Sequence, residues 1–334
     1  MTHIAILGAG RIGQVHAQAV RGVPAASVCA VADAMPDAAA ALAELHGAEV
    51  RSIEDIAAAD DIDAVLICTP TDMHADLIEQ FARVGKAIFC EKPIDLDVAR
   101  AMACVQVAEE TGATLMLGFQ RRFDADFRAL KAAMDAGKVG EIETVHLTSR
   151  DPAPPPIDYI KRSGGIFRDM AIHDLDVARW LLDEEIDTVQ AVGSSLVDTA
   201  IGDAGDFDTA TILLCTASGR QCTIACSRRA SYGYDQRIEV HGSKGMLTAD
   251  NTREARIELA TSSGASRPPL LDFFMSRYAD AYAREIASFV DVVRTGEETI
   301  TTGKDGIAAL VLAEAAHRAA HEKRIVAVSE VAVI

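Results

Sequence analysis

The chain of 334 residues is short of aromatics, at 5% with a single Trp, so its cores have to be built from Ala, Val, Ile and Leu. It has no surplus of positive charge. The formal net charge of −18 argues against nucleic-acid partners and anionic membranes, which need clustered Lys and Arg. No uninterrupted apolar run is long enough to span a bilayer. The opening run Met1-Thr2-His3-Ile4-Ala5-Ile6-Leu7 reads as a strand, with no basic stretch followed by an apolar one, so no secretory leader is expected. The seven cysteines (29, 68, 90, 104, 215, 222 and 226) form no C-x-x-C pair. Cys222 and Cys226 fall in a strand-like segment, which puts their Cα atoms ~13 Å apart, too far for a disulfide. Buried, reduced thiols in a cytoplasmic protein are expected. No internal repeat, disordered tract or metal-ligand spacing is present.

What is there points to two domains. Over residues 1–120, apolar strands (His3–Leu7, Ser27–Ala32, Ala64–Cys68, Ala87–Cys90, Thr114–Leu117) alternate with Ala-rich helices (Arg11–Arg21, Pro36–His46, His74–Val84, Leu96–Glu110). That alternation predicts an α/β, doubly wound parallel sheet of the Rossmann kind. Pro36 suits a first helical position. The texture changes over residues 121–334. Phe123–Ala136 and Met170–Leu182 read as helices, and Asp151–Pro156 as a proline-rich loop. Alternating segments at Glu141–Ser149, Thr188–Leu196, Phe207–Ala217, Arg220–Arg229, Arg237–His241 and Gly245–Ala249 predict an α+β domain with a mostly antiparallel sheet. The tail predicts a helix with the apolar stripe Tyr278, Tyr282, Ile286, Phe289 and Val293, a helix Ile307–His321 and a strand Ile325–Val328.

The first chemical motif is Gly8-Ala9-Gly10-Arg11-Ile12-Gly13, which leaves a strand and opens a helix. Asp33 stands twenty residues beyond Gly13, at the end of the second strand. Glycines allow a tight turn and close approach of a pyrophosphate to the helix N-terminus, and the carboxylate can accept from the ribose hydroxyls. Ala34-Met35-Pro36 supplies no cation for a 2′-phosphate, so NAD is the expected cofactor rather than NADP. Cys68-Thr69-Pro70-Thr71-Asp72-Met73-His74 leaves a third strand on the ligand edge of such a sheet, where Thr69, Pro70 and His74 are candidates for lining the nicotinamide. A plain proline turn and a helix-starting histidine are the competing explanation.

Glu91-Lys92-Pro93 ends another parallel strand on the same edge. Arg168-Asp169-Met170-Ala171-Ile172-His173 holds an aspartate four residues before a histidine, the spacing that places both on one helix face. A carboxylate beside an imidazole can orient it and raise its basicity, and a lysine then completes an acid/base set for taking a proton from an alcohol. Taken singly, Lys92 suits a surface pair, Asp169 a helix cap and His173 a core position. Asp174 and Asp176 are expected at the surface or capping local amides.

These motifs together resemble the glucose–fructose oxidoreductase/inositol dehydrogenase family over nearly the whole chain. The stretches Gly118-Phe119-Gln120-Arg121-Arg122-Phe123-Asp124, Ser163–Asp174, Ser231-Tyr232-Gly233-Tyr234-Asp235-Gln236 and Phe273–Tyr278 are similar to its bacterial inositol 2-dehydrogenase branch. The resemblance implies NAD-dependent oxidation of myo-inositol to 2-keto-myo-inositol, with Lys92, Asp169 and His173 as the catalytic set. It implies that Gly8, Gly10, Arg11, Ile12, Gly13, Asp33, Thr69, Pro70, His74, Glu91 and Lys92 serve the cofactor. Gln120, Arg121 and a tyrosine of the Tyr232/Tyr234 pair would join the catalytic residues around a small polyol. It also implies an open sheet in the second domain and a homotetramer. Another polyol or sugar dehydrogenase, such as one for scyllo-inositol, and a non-catalytic NAD-binding sensor are the rival readings.

Overall fold

The computed structural model describes residues 1–331 and divides the chain into two compact units. One joins Met1–Phe123 to Ala279–Leu310, and the other joins Asp124–Tyr278 to residues 311–331.

The first unit is built on β1 (Thr2–Leu7), α1 (Arg11–Arg21), β2 (Ala26–Ala32), α2 (Pro36–His46), β3 (Glu49–Val50), α3 (Ile53–Ala58), β4 (Ala64–Ile67), α4 (His74–Arg83), β5 (Ala87–Glu91), α5 (Val98–Glu110) and β6 (Leu115–Gly118). The strands form one parallel six-stranded sheet in the order β3-β2-β1-β4-β5-β6. Ile4, Ile6, Val65, Leu66, Ile88 and Phe89 are fully buried, as strands covered on both faces require. The order reverses between β1 and β4, the switch point at which sheets of this kind bind ligands. Pro36 is at the start of α2, and Gly47 ends that helix in the left-handed region. The strand β3 and the helix α3 were not expected. They are two and six residues long, below the length at which periodicity declares itself.

Two later segments return to this unit. Helix Ala279–Thr295 buries Ala281, Tyr282, Ile286, Phe289 and Val290, and the Phe289 ring meets Phe89 edge-on at 5.8 Å. Residues 299–301 line the outer edge of β6. The Thr301 hydroxyl donates to Leu117 O at 2.6 Å and Leu117 N donates to Thr301 O at 3.0 Å, which satisfies backbone groups that an open edge would expose.

The second unit holds helices α6 (Ala125–Asp135) and α7 (Ile157–Ser163) and the strands β7 (Ile142–Arg150), β8 (Ile186–Ser194), β9 (Thr209–Thr216), β10 (Gln221–Ser227), β11 (Asp235–Gly242), β12 (Gly245–Ala249) and β15 (Val326–Ala327), with β13 (Leu259–Thr261) and β14 (Gly264–Ser266) as a separate hairpin. The seven-stranded sheet runs β12-β11-β7-β10-β9-β8-β15 and is antiparallel except where β7 meets β10. One face is core: Val145, Leu147, Ile212, Leu214, Ile224 and Val240 are buried, under a layer that includes α8 (Ile172–Leu182) packed on β7 and β10. The alternate residues His146, Thr211, Leu213, Thr223 and Ala225 stand exposed or half-exposed on the other face. An α/β chain with a parallel Rossmann sheet and a mostly antiparallel second sheet is thus the observed fold.

Three expectations are corrected in detail. The helix expected from Phe123 is α6 (Ala125–Asp135), because Asp124 caps it, accepting from the amides of Asp126 and Phe127 at 3.1 Å; Gln120–Phe123 is a 3₁₀ turn. The helix expected from Met170 is preceded by a π-helical turn, Ile166–Ala171. Asp174 and Asp176 are buried, each 2% exposed, because α8 is enclosed on most of its circumference. All seven cysteines are free thiols. Among the described residues no helix is long and apolar enough to cross a membrane.

Candidate active site

In the first unit the glycine turn fills the space between β1 and α1. Gly8 has φ +101°, and a Cβ there would lie 2.5 Å from Cys68 O. A Cβ on Gly13 would lie 1.9 Å from Gly8 O. Neither position admits a side chain. A Cβ on Gly10, in contrast, meets nothing within 4 Å, so the turn is tight behind and open in front. No side chain caps α1 at Gly10, which leaves the helix end to an anion. Arg11 is exposed and Ile12 half-buried in its first turn. Asp33 follows β2 and braces the turn: Oδ2 accepts from Ala9 N at 2.6 Å and Oδ1 from Met35 N at 2.7 Å. A pyrophosphate before Gly10 and a ribose beside Asp33 fit this cradle.

Because the sheet is parallel, β4 and β5 end on the same edge as β1. Thr69 and Pro70 leave β4. His74 opens α4 and is buried, with Nδ1 at 2.7 Å from Pro93 O and Nε2 at 2.9 Å from Thr69 O. Burial pulls its pKa below the ordinary value, outweighing the two carbonyls and Glu91, which push it up. A neutral ring donates through one nitrogen only. His74 therefore donates to one of these carbonyls and lies against the other, between the Thr69 segment and the Lys92–Pro93 segment. Lys92 directly follows β5, half-buried, and its bond to Pro93 is cis. Gln120 and Arg121 are buried in the 3₁₀ turn after β6.

In the second unit Asp169 lies in the π turn and His173 in the first turn of α8. The four-residue spacing thus spans a change of helix type, and the uniform α-helical face expected for the pair begins only at residue 172. The Tyr159 hydroxyl donates to Asp169 Oδ1 at 2.9 Å. Arg228, 1% exposed, places Nη2 3.5 Å from Asp169 Oδ2 and 3.6 Å from Asp206 Oδ2. Asp206 Oδ1 accepts from Ile166 N at 2.9 Å. It also sits where a Cβ on Gly165 (φ +79°) would come within 2.6 Å, so only glycine suits that entry to the turn. Arg228, Asp206 and Tyr159 had no part in the sequence reading. They lie 59, 37 and 10 residues from Asp169, and no local pattern links them to it.

The two tyrosines separate clearly. Tyr234 is 6% exposed and meets Phe273 and Tyr278 edge-on, at 6.0 and 6.1 Å. Tyr232 is 51% exposed and borders a shallow polar groove with Arg237, Arg253 and Arg267. Its hydroxyl donates to the buried Asp235 at 2.6 Å and accepts from Arg150 at 2.7 Å.

A glycine cradle at the switch point, with an acidic residue just after the second strand, marks a dinucleotide-binding protein. The oxidoreductase family with an NAD-binding Rossmann fold matches residues 2–119, and the GFO/IDH/MocA C-terminal domain matches residues 127–248. The chain belongs to the GFO/IDH/MocA family of NAD-dependent oxidoreductases. It is 60% identical to the inositol 2-dehydrogenase of Rhizobium meliloti, over 97% of this chain and 98% of that one. It is 43% identical to the myo-inositol 2-dehydrogenase of Thermotoga maritima, over 98% and 99%. The structure of scyllo-inositol dehydrogenase from Lactobacillus casei with bound NAD(H) and scyllo-inositol superposes with a TM-score of 0.93 at 32% identity, covering 98% of this chain and 99% of that one.

Proposed function

We infer that the chain is an NAD-dependent inositol 2-dehydrogenase that oxidises myo-inositol at C2 to 2-keto-myo-inositol in inositol catabolism. The observation that carries this reading is the open cradle at Gly10 with Asp33 beside it, in a chain alike over nearly its full length to inositol 2-dehydrogenases. NAD, when bound, takes the hydride that leaves the carbinol carbon. His173 is the base that accepts the C2 hydroxyl proton, and Asp169 orients its imidazole. Lys92 donates a hydrogen bond to the same oxygen and favours its alkoxide character. Gln120, Arg121 and one of Tyr232 and Tyr234 hold the remaining hydroxyls. Tyr232 is the more exposed of the two residues, which favours it for that part. The glycine turn, Arg11 and Ile12 receive the pyrophosphate and Asp33 the ribose. Thr69, Pro70, His74 and Glu91 shape the nicotinamide side, with His74 and Glu91 working through the backbone around Lys92.

Loss of a well-placed general base costs ~10²–10⁴-fold in rate. His173→Ala, assayed at 340 nm with saturating NAD and myo-inositol, should fall in that range, and near-parental turnover would remove His173 from the role. A panel of inositol stereoisomers and hexoses, run with NAD and with NADP, tests the substrate. Comparable turnover of scyllo-inositol would broaden the assignment, and NAD binding without turnover of any polyol would favour a sensor. We further propose a cytoplasmic homotetramer joined through the exposed face of the second sheet. Support comes from its Thr211, Leu213, Thr223 and Ala225, which present small or apolar side chains without charge. Sedimentation of the native protein tests it.

A further inference from the structure

Beneath the end of β5 lies a polar contact that neither the glycine motif nor the acid/base set includes. His16 is on the inward face of α1 and is 0% exposed. Its Nε2 lies 2.6 Å from Glu91 Oε1, in a buried pair. The other carboxylate oxygen, Oε2, accepts from the backbone amide of Lys92 at 3.2 Å. The imidazole is fixed in turn by edge-on rings, Phe89 at 4.9 Å and Tyr282 at 5.4 Å. The next strand makes room for the carboxylate, since a Cβ on Gly118 would come within 3.0–3.1 Å of it. A second buried carboxyl, Glu285, is pushed well above its ordinary value by burial and then by the charge of Glu91.

A helix-on-sheet contact in this fold is ordinarily apolar, and the other buried positions of α1 follow that rule: Gly13, Ala17, Ala19 and Val20. A buried charged or polar pair adds little to stability over well-packed apolar groups. Its value must lie in where it holds things. One end of α1 is the phosphate cradle, and His16 is three residues, nearly one full turn, beyond Gly13. Glu91 is covalently next to Lys92. We propose that His16 is a positioning residue for the reaction: through Glu91 it ties the helix that receives the cofactor to the strand end that presents Lys92, so that bound dinucleotide and lysine keep one register. This rests on the inositol dehydrogenase reading of Lys92.

The test uses the intact protein carrying His16→Leu, which fills the site without a donor, and His16→Gln, which keeps one. Misplacement by about 1 Å can cost ~10²-fold in rate. In His16→Leu, kcat on myo-inositol should fall ~10–100-fold with the Kd for NAD nearly unchanged. The primary isotope effect with C2-deuterated myo-inositol should rise, and His16→Gln should restore part of both. A merely structural role lowers the amount of active enzyme and leaves the isotope effect as it was; that result, or parental kcat in His16→Leu, overturns the proposal. If His16→Leu does not fold, Glu91→Gln, which keeps the shape and removes the charge, is read by the same criteria. If the parent oxidises no polyol, the functional reading fails separately. The coupling is then decided by mass spectrometry of Lys92 acetylation: saturating NAD should protect Lys92 in the parent and not in His16→Leu or Glu91→Gln, and equal protection in all three refutes it.

Discussion

Replacing Asp33 separates two tasks that its carboxylate performs. In the protein it holds the glycine turn through Ala9 N at 2.6 Å and Met35 N at 2.7 Å, and in the proposed complex it also accepts from the ribose hydroxyls. Hydrogen bonds to a charged group contribute about 1.5–3 kcal/mol each. Two of them at a half-exposed site, where water competes, leave about 2–3 kcal/mol, or roughly 30–150-fold in kcat/KM for NAD. Asp33→Ala should lose that much with NAD and lose far less with NADP, whose 2′-phosphate the carboxylate repels. Asp33→Ser combined with Ala34→Arg should go further and gain NADP-dependent turnover. The assay is kcat/KM for each cofactor at 340 nm with saturating myo-inositol, alongside the melting temperature of each variant. Asp33→Asn, which keeps one acceptor for the turn but no charge, should retain most of the thermal stability while losing NAD selectivity. A parent that prefers NADP would refute the reasoning. So would equal losses with both cofactors and a fall in melting temperature, which would leave Asp33 as a brace for the turn and nothing more.

Gly13→Ala forces a Cβ into the space of Gly8 O, 1.9 Å away, and overpacking of this kind costs about 1–3 kcal/mol. NAD affinity measured by titration calorimetry should weaken at least tenfold on the order set by that strain, and affinity within twofold of the parent would contradict the cradle geometry. Arg228→Met removes the cation that two carboxylates share, and stripping one partner from a buried ionic group costs about 3–5 kcal/mol. The urea midpoint should drop accordingly, Asp206→Asn added to it should recover part of the loss, and an unchanged midpoint would show that Arg228 does not hold the π turn. Burial raises the Glu285 pKa in the folded state, so above the unfolded carboxyl value near 4.5 the native protein holds a proton that the unfolded chain releases. Stability is then lost as pH rises from that value toward the folded pKa. Glu285→Gln mimics the protonated acid, and its gain in melting temperature should be larger at pH 8 than at pH 5; a gain that did not grow with pH would rule out the buried neutral acid.

The parts of the molecule that could be read along the chain are those whose cause is local. The parallel sheet announces itself through apolar strands alternating with Ala-rich helices. The nucleotide turn announces itself because tight geometry at Gly8 and Gly13 excludes every side chain, and Asp33 because a βαβ unit fixes its distance from them. Lys92 could be assigned to the ligand edge for the same reason, since parallel strands all end there. The π turn at Ile166–Ala171 was hidden. Over six residues its pattern of apolar and polar positions hardly differs from that of an α-helix, and Asp206 and Arg228, which contact it, come from distant segments. His16 was hidden too, as one polar residue on an otherwise apolar helix face.

Local periodicity says that a segment has a face to bury, but not against what. Helix Ala279–Thr295 shows its apolar stripe plainly, yet only the tertiary structure brings Phe289 to Phe89 and Tyr282 to His16, and so returns that helix to the first unit. The amino-acid order by itself determined the class of fold, the glycine turn and which side chains are candidates for acid/base chemistry. Only the tertiary structure decided what holds those side chains: His16 on Glu91, and Arg228 with Tyr159 on Asp169. Hydrogen bonds and ion pairs act over a few ångströms in space, and these partners lie between 10 and 75 residues apart along the chain.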